Sequence, residues 1–376
     1  MRTYFIATGW NNRPVSQHSR ALAHALADRG HRVVLLVPGN VPEARSPSTN
    51  PAVLNWPSPR PRHFRDVKFL FRLARKYRPD CMVANFGATN VMTLVGYLTR
   101  VKGRVDWYHT LSSQLEADSS VSAIRGWIQV IRRCLVYKLA THVVCNSQAA
   151  LEDVKAVYRV PDHKCHVFHN ALEDPIKRYG LTAVDRQPNR LVCVGRLEPS
   201  KGQDVLIKSI AILKDQFPDI RVDFVGKGSS KQAYVALAEN LGVKENCHFR
   251  GSLSHMDVLH SMALATLTVV PSRHEAFGLV NIESLAAGTP VVGSHTGGIS
   301  EIVRSGVDGF LVTPGDSAAL AERIAELLQN PALREAMAVQ ARKRFLAIFE
   351  QQLAVSKQAD WFESLSGKNE SKQPFA

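Results

Sequence analysis

Glu275-Ala276-Phe277-Gly278-Leu279-Val280-Asn281-Ile282-Glu283-Ser284-Leu285-Ala286-Ala287-Gly288-Thr289-Pro290 decides how this chain is read. An apolar run, Ala265-Thr266-Leu267-Thr268-Val269-Val270, and the turn Pro271-Ser272 precede it. From Leu279 apolar residues recur at helical spacing until Gly288 and Pro290 stop the helix. The order is strand, glycine-bearing loop, helix N-terminus. Such a junction aims unpaired backbone N–H groups and the positive end of the helix dipole at one spot, and Gly278 lets an anion approach the backbone. A phosphate fits there. A carboxylate beside a phosphate is repelled unless it accepts hydrogen bonds from neutral hydroxyls, so Glu275 and Glu283 imply hydroxyls close by. A ligand with phosphates and sugar hydroxyls, a sugar nucleotide, satisfies both requirements.

The same strand-and-helix alternation runs through the chain. Arg2 to Thr8 reads as a strand, Ser16 to Asp28 as an amphipathic helix and Arg32 to Val37 as a second strand, a βαβ opening that predicts a parallel sheet. Strands follow near Cys81–Ala84, Arg104–Tyr108, Thr141–Cys145 and Cys165–Phe168. From Gly180 to Asn189 the periodicity lapses into polar and turn-forming residues, the expected linker. A second series has strands at Leu191–Val194, Arg221–Val225, Cys247–Arg250, Thr266–Val270, Val291–Val292 and Gly309–Val312. The fold class is therefore α/β, with two doubly wound Rossmann-like domains facing across a cleft: residues 1–185, then 186–349, with a last helix from about 350 toward 376 that can return to the first domain. The end, Gly367 to Ala376, reads as frayed.

The chain of 376 residues is 45% apolar, enough for a large core. It has no apolar run of transmembrane length, and its first residues are too short for a signal peptide, so a cytoplasmic protein is expected. Six scattered cysteines without a Cys-x-x-Cys pair predict reduced thiols. The formal charge of +14 is unevenly placed: residues 1–186 hold 27 Lys and Arg against 13 Asp and Glu, the remainder 20 against 20. Two stretches, Arg60–Arg78 and Ile124–Leu139, are basic and apolar at once. They predict docking on an anionic membrane surface, with a solvated helix face as the plain alternative. No signature of a nucleic-acid binder is present, so no nucleic acid is expected.

At the head of the second series, Val194-Gly195-Arg196-Leu197-Glu198-Pro199-Ser200-Lys201-Gly202 repeats the strand-loop-helix order. Arg196 offers a planar fork and Lys201 a point charge to a diphosphate. Asp-x-Asp is absent and the histidines lack ligand spacing, so no metal and no cofactor are expected. These residues, with Val225-Gly226-Lys227-Gly228, Phe249-Arg250-Gly251, the Glu-x7-Glu of Glu275 and Glu283, Thr296-Gly297-Gly298 and Glu301-Ile302-Val303, resemble glycosyltransferase family 4, retaining enzymes of the GT-B fold. The likeness is dense from Val192 to Arg342 and thin before it.

The resemblance implies that Arg196 and Lys201 neutralise the diphosphate and that Phe277, Gly278, Leu279 and Val280 contact phosphate and donor sugar. Gly226 and Phe249 belong to the same donor site. Glu283 would accept from ribose hydroxyls and Glu275 from the transferred sugar. His109, at the end of the Val105–Tyr108 run, resembles the family's histidine that bonds the donor sugar and steadies an oxocarbenium-like transition state. Asn146 is similar to a residue at the family's cleft, and capping is its plain alternative. Where the family has a glycine pair, this chain has Gly9-Trp10-Asn11-Asn12-Arg13. Trp10 and Arg13 are expected to narrow the cleft or bind an acceptor, with His18 facing it from the next helix. The implied activity is a metal-independent, retaining hexosyl transfer from a UDP- or GDP-sugar to a hydroxyl of a glycan or lipid-linked acceptor, in cell-surface polysaccharide or lipopolysaccharide assembly. The alternatives are a sugar-nucleotide epimerase and a non-catalytic sugar-nucleotide sensor.

Overall fold

The computed structural model describes residues 1–11, 13–39, 41, 49–118, 123–181 and 186–365, without the side chains of 123–125. Residues 182–185 of the expected linker, Asn12 of the first loop and the tail 366–376 lie outside these. The first unit has seven strands: β1 (Thr3–Ala7), β2 (Arg32–Val37), β3 (Ala52–Asn55), β4 (Cys81–Ala84), β5 (Gly103–Tyr108), β6 (His142–Cys145) and β7 (Cys165–Val167). The second has six: β8 (Arg190–Val194), β9 (Arg221–Val225), β10 (Cys247–Gly251), β11 (Leu267–Val270), β12 (Val291–Ser294) and β13 (Gly309–Val312). The sheets run in the orders β3-β2-β1-β4-β5-β6-β7 and β10-β9-β8-β11-β12-β13, every pairing parallel. The expectation of two doubly wound sheets holds.

Near-continuous apolar strands such as Arg-Val-Val-Leu-Leu-Val of β2 are buried on both faces, because helices cover each side of a parallel sheet. Phe5, Leu36 and Met82 pack on one side of the first sheet with Leu70 and Val95, and Tyr4, Ile6 and Leu35 pack on the other with Leu22 and Leu26. Edge strand β3 is not anticipated by the sequence. Four residues give too little alternation to read, and their pairing with Val34–Val37 of β2 is what makes them a strand.

The chain crosses between the units twice, side by side. After β7, Leu172 already lies in the second unit's core with Phe277, Phe345 and Phe349. On the way back, Leu172 N–H donates to the Phe349 carbonyl at 3.0 Å and Gln351 N–H to the Leu172 carbonyl at 3.0 Å. The helix Gln351–Ser364 then buries Val355, Ala359 and Phe362 against the first unit's core.

Candidate functional site

In each sheet the strand order reverses at the pair that follows the first strand of the unit, β1 with β4 and β8 with β11, and the crevice for a ligand opens beyond their carboxyl ends. Arg196 and Lys201 follow β8, and Glu275 follows β11. Lys201 Nζ lies 2.6 Å from Glu275 Oε2, both side chains largely buried. The Phe277 ring is inside the core, stacked on His169 at 5.5 Å, so it is not available to a ligand. Gly278, at φ 88, opens the helix Leu279–Ala286, and a Cβ there would meet Asn281 Nδ2 at 2.3 Å. The turn itself requires glycine. The loop of Gly297 packs backbone to backbone on the same segment: a Cβ on Gly297 would sit 1.9 Å from the Glu275 carbonyl oxygen. Leu279 and Val280 form the first turn of the helix, and Glu283 is buried one turn on, its Oε1 3.1 Å from His255 Nε2. Gly226 directly follows β9, its N–H donating to the Gly251 carbonyl at 2.8 Å. Phe249, on edge strand β10, is committed to Phe224, with ring centroids 5.0 Å apart. Arg250 belongs to the sheet rather than to a ligand: with Arg190 and Arg221 it pairs with buried Asp223.

On the first unit, three adjacent strands deliver Gly9 (after β1), Asn85 (after β4) and His109 (after β5) to one cavity of about 600 Å³. The His109 ring stacks between Phe86 at 4.6 Å and Trp107 at 5.7 Å. Asn85 Nδ2 donates to the Ala7 carbonyl, which turns its Oδ1 toward His109 Nε2, 2.9 Å away, so Nε2 carries the proton. His109 Nδ1 is left buried without a partner. Burial pushes the ring's pKa down to about 4, with nearby His18 adding to it, so the imidazole is neutral at ordinary pH. Asn146, after β6, is buried with its Nδ2 3.5 Å from the His109 carbonyl and its Oδ1 unpartnered.

One expectation for the first loop and helix is corrected, and the other two residues of that loop are located. His18 does not face the cleft: its Nε2 lies 2.9 Å from Gln358 Oε1 of the last helix and its ring sits edge-on to Trp107, behind His109. Trp10 packs on the first core under the Arg20 guanidinium, 5.1 Å from its ring. Arg13 is exposed at the entry to helix Pro14–Asp28 and, like Trp10, is outside the cavity lining.

Contacts between the units add roles that sequence reasoning did not assign. Asp118, the last residue of helix Ser112–Asp118, accepts from Arg196 Nη2 at 2.7 Å and from the Ser200 N–H at 3.2 Å. Glu301 accepts from the N–H groups of Gln148 (2.9 Å) and Ala149 (3.0 Å), at the start of helix Gln148–Tyr158, and lies 3.2 Å from His169 Nε2. Burial pulls the Glu301 carboxyl up, but the bonds from His169 and the two amides outweigh it and hold it below the usual range. Ser147 Oγ donates to the Ala276 carbonyl, tying the helix cap to the loop before Gly278. Asn85 was the one with a signal in the sequence, since it directly follows an apolar strand, as His109 does. Among the described residues no helix is long and apolar enough to cross a membrane.

Residues 182–344 match the family described as Glycosyl transferases group 1, and residues 15–174 that described as Glycosyltransferase Family 4. The putative glycosyltransferase EpsD of Bacillus subtilis (strain 168) is 35% identical over 46% of this chain and 45% of its own length. A D-inositol 3-phosphate glycosyltransferase of Mycobacterium sp. (strain JLS) is 31% identical over 67% and 60%, and a glycogen synthase of Mycobacterium tuberculosis (strain ATCC 25618 / H37Rv) 25% over 98% and 96%. The match thus spans about half of the first of these and three fifths of the second. Among solved structures, Anabaena Alr3699/HepE in complex with UDP superposes with a TM-score of 0.74 at 21% identity, covering 97% of this chain and all of that one. WaaG, a glycosyltransferase involved in lipopolysaccharide biosynthesis, gives 0.69 at 19%, covering 96% and 99%.

Proposed function

The chain belongs to glycosyltransferase family 4, with the GT-B fold, and from that premise we propose that it moves a hexosyl group from a nucleoside diphosphate sugar to a hydroxyl, with retention at the anomeric carbon and without a metal. The observation that carries this reading is the meeting of Lys201 with Glu275 at the mouth of the Gly278 turn. One cation for a diphosphate and one acceptor for sugar hydroxyls stand 2.6 Å apart, where a sugar phosphate has those groups adjacent. Arg196 and the amides opening the Leu279–Ala286 helix add to the diphosphate side, with Gly226 and Phe249 assigned to the nucleotide end, and Glu283 to the ribose.

His109 takes a defined part in this scheme. A neutral ring with its proton on Nε2 places no positive charge beside an oxocarbenium-like centre, and its buried Nδ1 is the ring acceptor left without a partner. Asn146 positions the His109 carbonyl. The acceptor oxygen attacks on the face from which the diphosphate departs, and the leaving diphosphate takes the acceptor proton; positioning and electrostatics supply the catalysis.

The acceptor is a glycan or a lipid-linked glycan of surface polysaccharide or lipopolysaccharide assembly, and the enzyme works at the cytoplasmic face of an anionic membrane. Support comes from the helix Ala123–Leu139, where Trp127, Ile128, Ile131 and Leu135 share one exposed apolar face, and from helix Thr89–Leu98, which packs against it and exposes Leu94, Tyr97 and Leu98. Incubation of the purified protein with UDP- and GDP-sugars in EDTA tests the proposal, UDP-glucose first because HepE is solved with it. Slow hydrolysis of one donor, lost in Glu275→Ala and Lys201→Ala, is expected. Binding without turnover for every donor would leave a sensor instead.

A further inference from the structure

We infer that the cavity of the first unit is the acceptor site and is built for an acceptor carrying a phosphate close to the hydroxyl that receives the sugar; this rests on the transferase reading above. Arg60 and Arg62, from the loop before helix Phe64–Tyr77, and Arg132 and Arg133, from helix Ala123–Leu139, line this one cavity, and no Asp or Glu is among its described lining residues. The side chains of Arg60, Arg62 and Arg132 have no hydrogen-bond or ion-pair partner among the described residues. Arg133 reaches only a neutral group, the Tyr158 hydroxyl, at 3.1 Å. Elsewhere in the molecule buried carboxylates gather arginines, as Asp223 does with three and Asp308 with Arg304 and Arg344. Here four arginines, three of them exposed, line a shared space that holds no carboxylate among the described residues, so an anion entering it meets cations and no competing acid.

The number and type of cations select phosphate. A guanidinium fork matches phosphate oxygens in pairs, and a phosphomonoester brings about two negative charges where a carboxylate brings one. Phe86, Trp107 and the neutral His109 line the same cavity as a stack of uncharged rings, so its charge comes from the arginines alone. Since His109 is the group assigned to the donor sugar, a phosphate held by the arginines places the rest of the acceptor toward the anomeric carbon. In the transfer the acceptor O–H oxygen forms the new bond to that carbon, the bond to the diphosphate oxygen breaks, and the proton passes to the departing diphosphate. The acceptor's phosphate is unchanged. On helix Ala123–Leu139 the arginines turned into the cavity flank the exposed stripe of Trp127, Ile131 and Leu135, so the pocket is served equally by a soluble sugar phosphate and by a phosphorylated headgroup at a lipid surface.

Binding and turnover are read separately on the full chain. Thermal shift with glucose 6-phosphate and inositol 1-phosphate, each against its neutral parent, and flotation with phosphatidylinositol vesicles against phosphatidylcholine report binding. Donor consumption in the same mixtures reports transfer. We expect at least about tenfold tighter binding of a phosphorylated probe than of its parent. That preference should be lost in Arg60→Gln/Arg132→Gln and largely kept in Arg60→Lys/Arg132→Lys, which controls for folding. Preference for the soluble monophosphates assigns a free sugar phosphate, and preference seen only with phosphatidylinositol assigns a lipid headgroup. Equal binding of neutral parents, or a preference indifferent to the Gln variants, overturns the inference. Arginine-dependent phosphate binding with no donor turned over would overturn the transferase reading and leave the phosphate site standing.

Discussion

Lys201 Nζ stands 2.6 Å from Glu275 Oε2, and the two side chains come from loops 74 residues apart, at the ends of neighbouring strands β8 and β11. Each is the other's counter-ion, and in the proposed scheme a diphosphate and a sugar take those places. Lys201→Ala removes a charge-assisted bond to phosphate and is expected to weaken UDP binding by about thirtyfold. Glu275→Gln frees the lysine, so UDP should bind as well or better while turnover falls by about a hundredfold. Titration calorimetry beside a hydrolysis assay separates the two; equal loss of UDP affinity in both variants would refute these roles.

Asp118 occupies Arg196 and the Ser200 amide from the opposite unit. A diphosphate that takes Arg196 must displace it. Asp118→Asn is therefore expected to tighten nucleotide binding about two- to fivefold, a modest effect because the Arg196 guanidinium is more than half exposed. A weaker affinity in this variant would mean that Asp118 orders the site instead of competing for it.

Glu301 gives the junction between the units a pH dependence. Its carboxyl is held below the usual range in the folded protein, so its contribution is full above the ordinary value of 4.5 and is lost as pH falls through the lowered folded value. Small-angle scattering should report a larger radius of gyration on acidification, and Glu301→Gln should show the same expansion at neutral pH. An unchanged radius in the variant would remove Glu301 from this role.

His109, His142 and His166 are each pushed down to about 4 from 6.5, chiefly by burial, with His142 further lowered by its neighbour His166. The unfolded chain takes up their protons first, so stability from this source is intact above 6.5 and declines as pH drops toward 4. Melting temperature should fall over that window, while the kcat profile shows no inflection from His109 above pH 5 or so.

For the membrane surface, Trp127→Ser with Ile131→Ser is expected to reduce binding to phosphatidylglycerol vesicles by more than about tenfold, since each buried large side chain contributes about 1.5–3 kcal/mol. Flotation that is indifferent to both would dismiss this face.

Much of the fold is legible because buried parallel strands are apolar throughout and helices repeat every three to four residues, so β2 and β11 declare themselves. Strand β3 does not, for its identity lies in its partner. The candidate donor site is legible for a related reason: a strand followed by glycine and a helix start is local in sequence. His18 is not, because its side chain meets Gln358, 340 residues away. Asp118 carries no pattern, being one acid at the end of a short helix. The arginines at 60, 62, 132 and 133 were visible as charge, but periodicity names a helix face without naming its neighbour. The neighbour turns Arg132 and Arg133 toward a cavity, leaving the membrane expectation to rest on the apolar stripe beside them.

The paired crossing at Leu172 and Phe349–Gln351 has a mechanical meaning. Two covalent connections lying side by side, joined by backbone bonds of 3.0 Å, act as a door hinge rather than a tether. Twisting or sliding one unit against the other would shear those bonds, whereas swinging about their common line leaves them intact. A swing about that line is the relative motion that these two bonds leave free. The paired crossing also makes the last helix, which returns to the first unit, the part that keeps both leaves on the same pin.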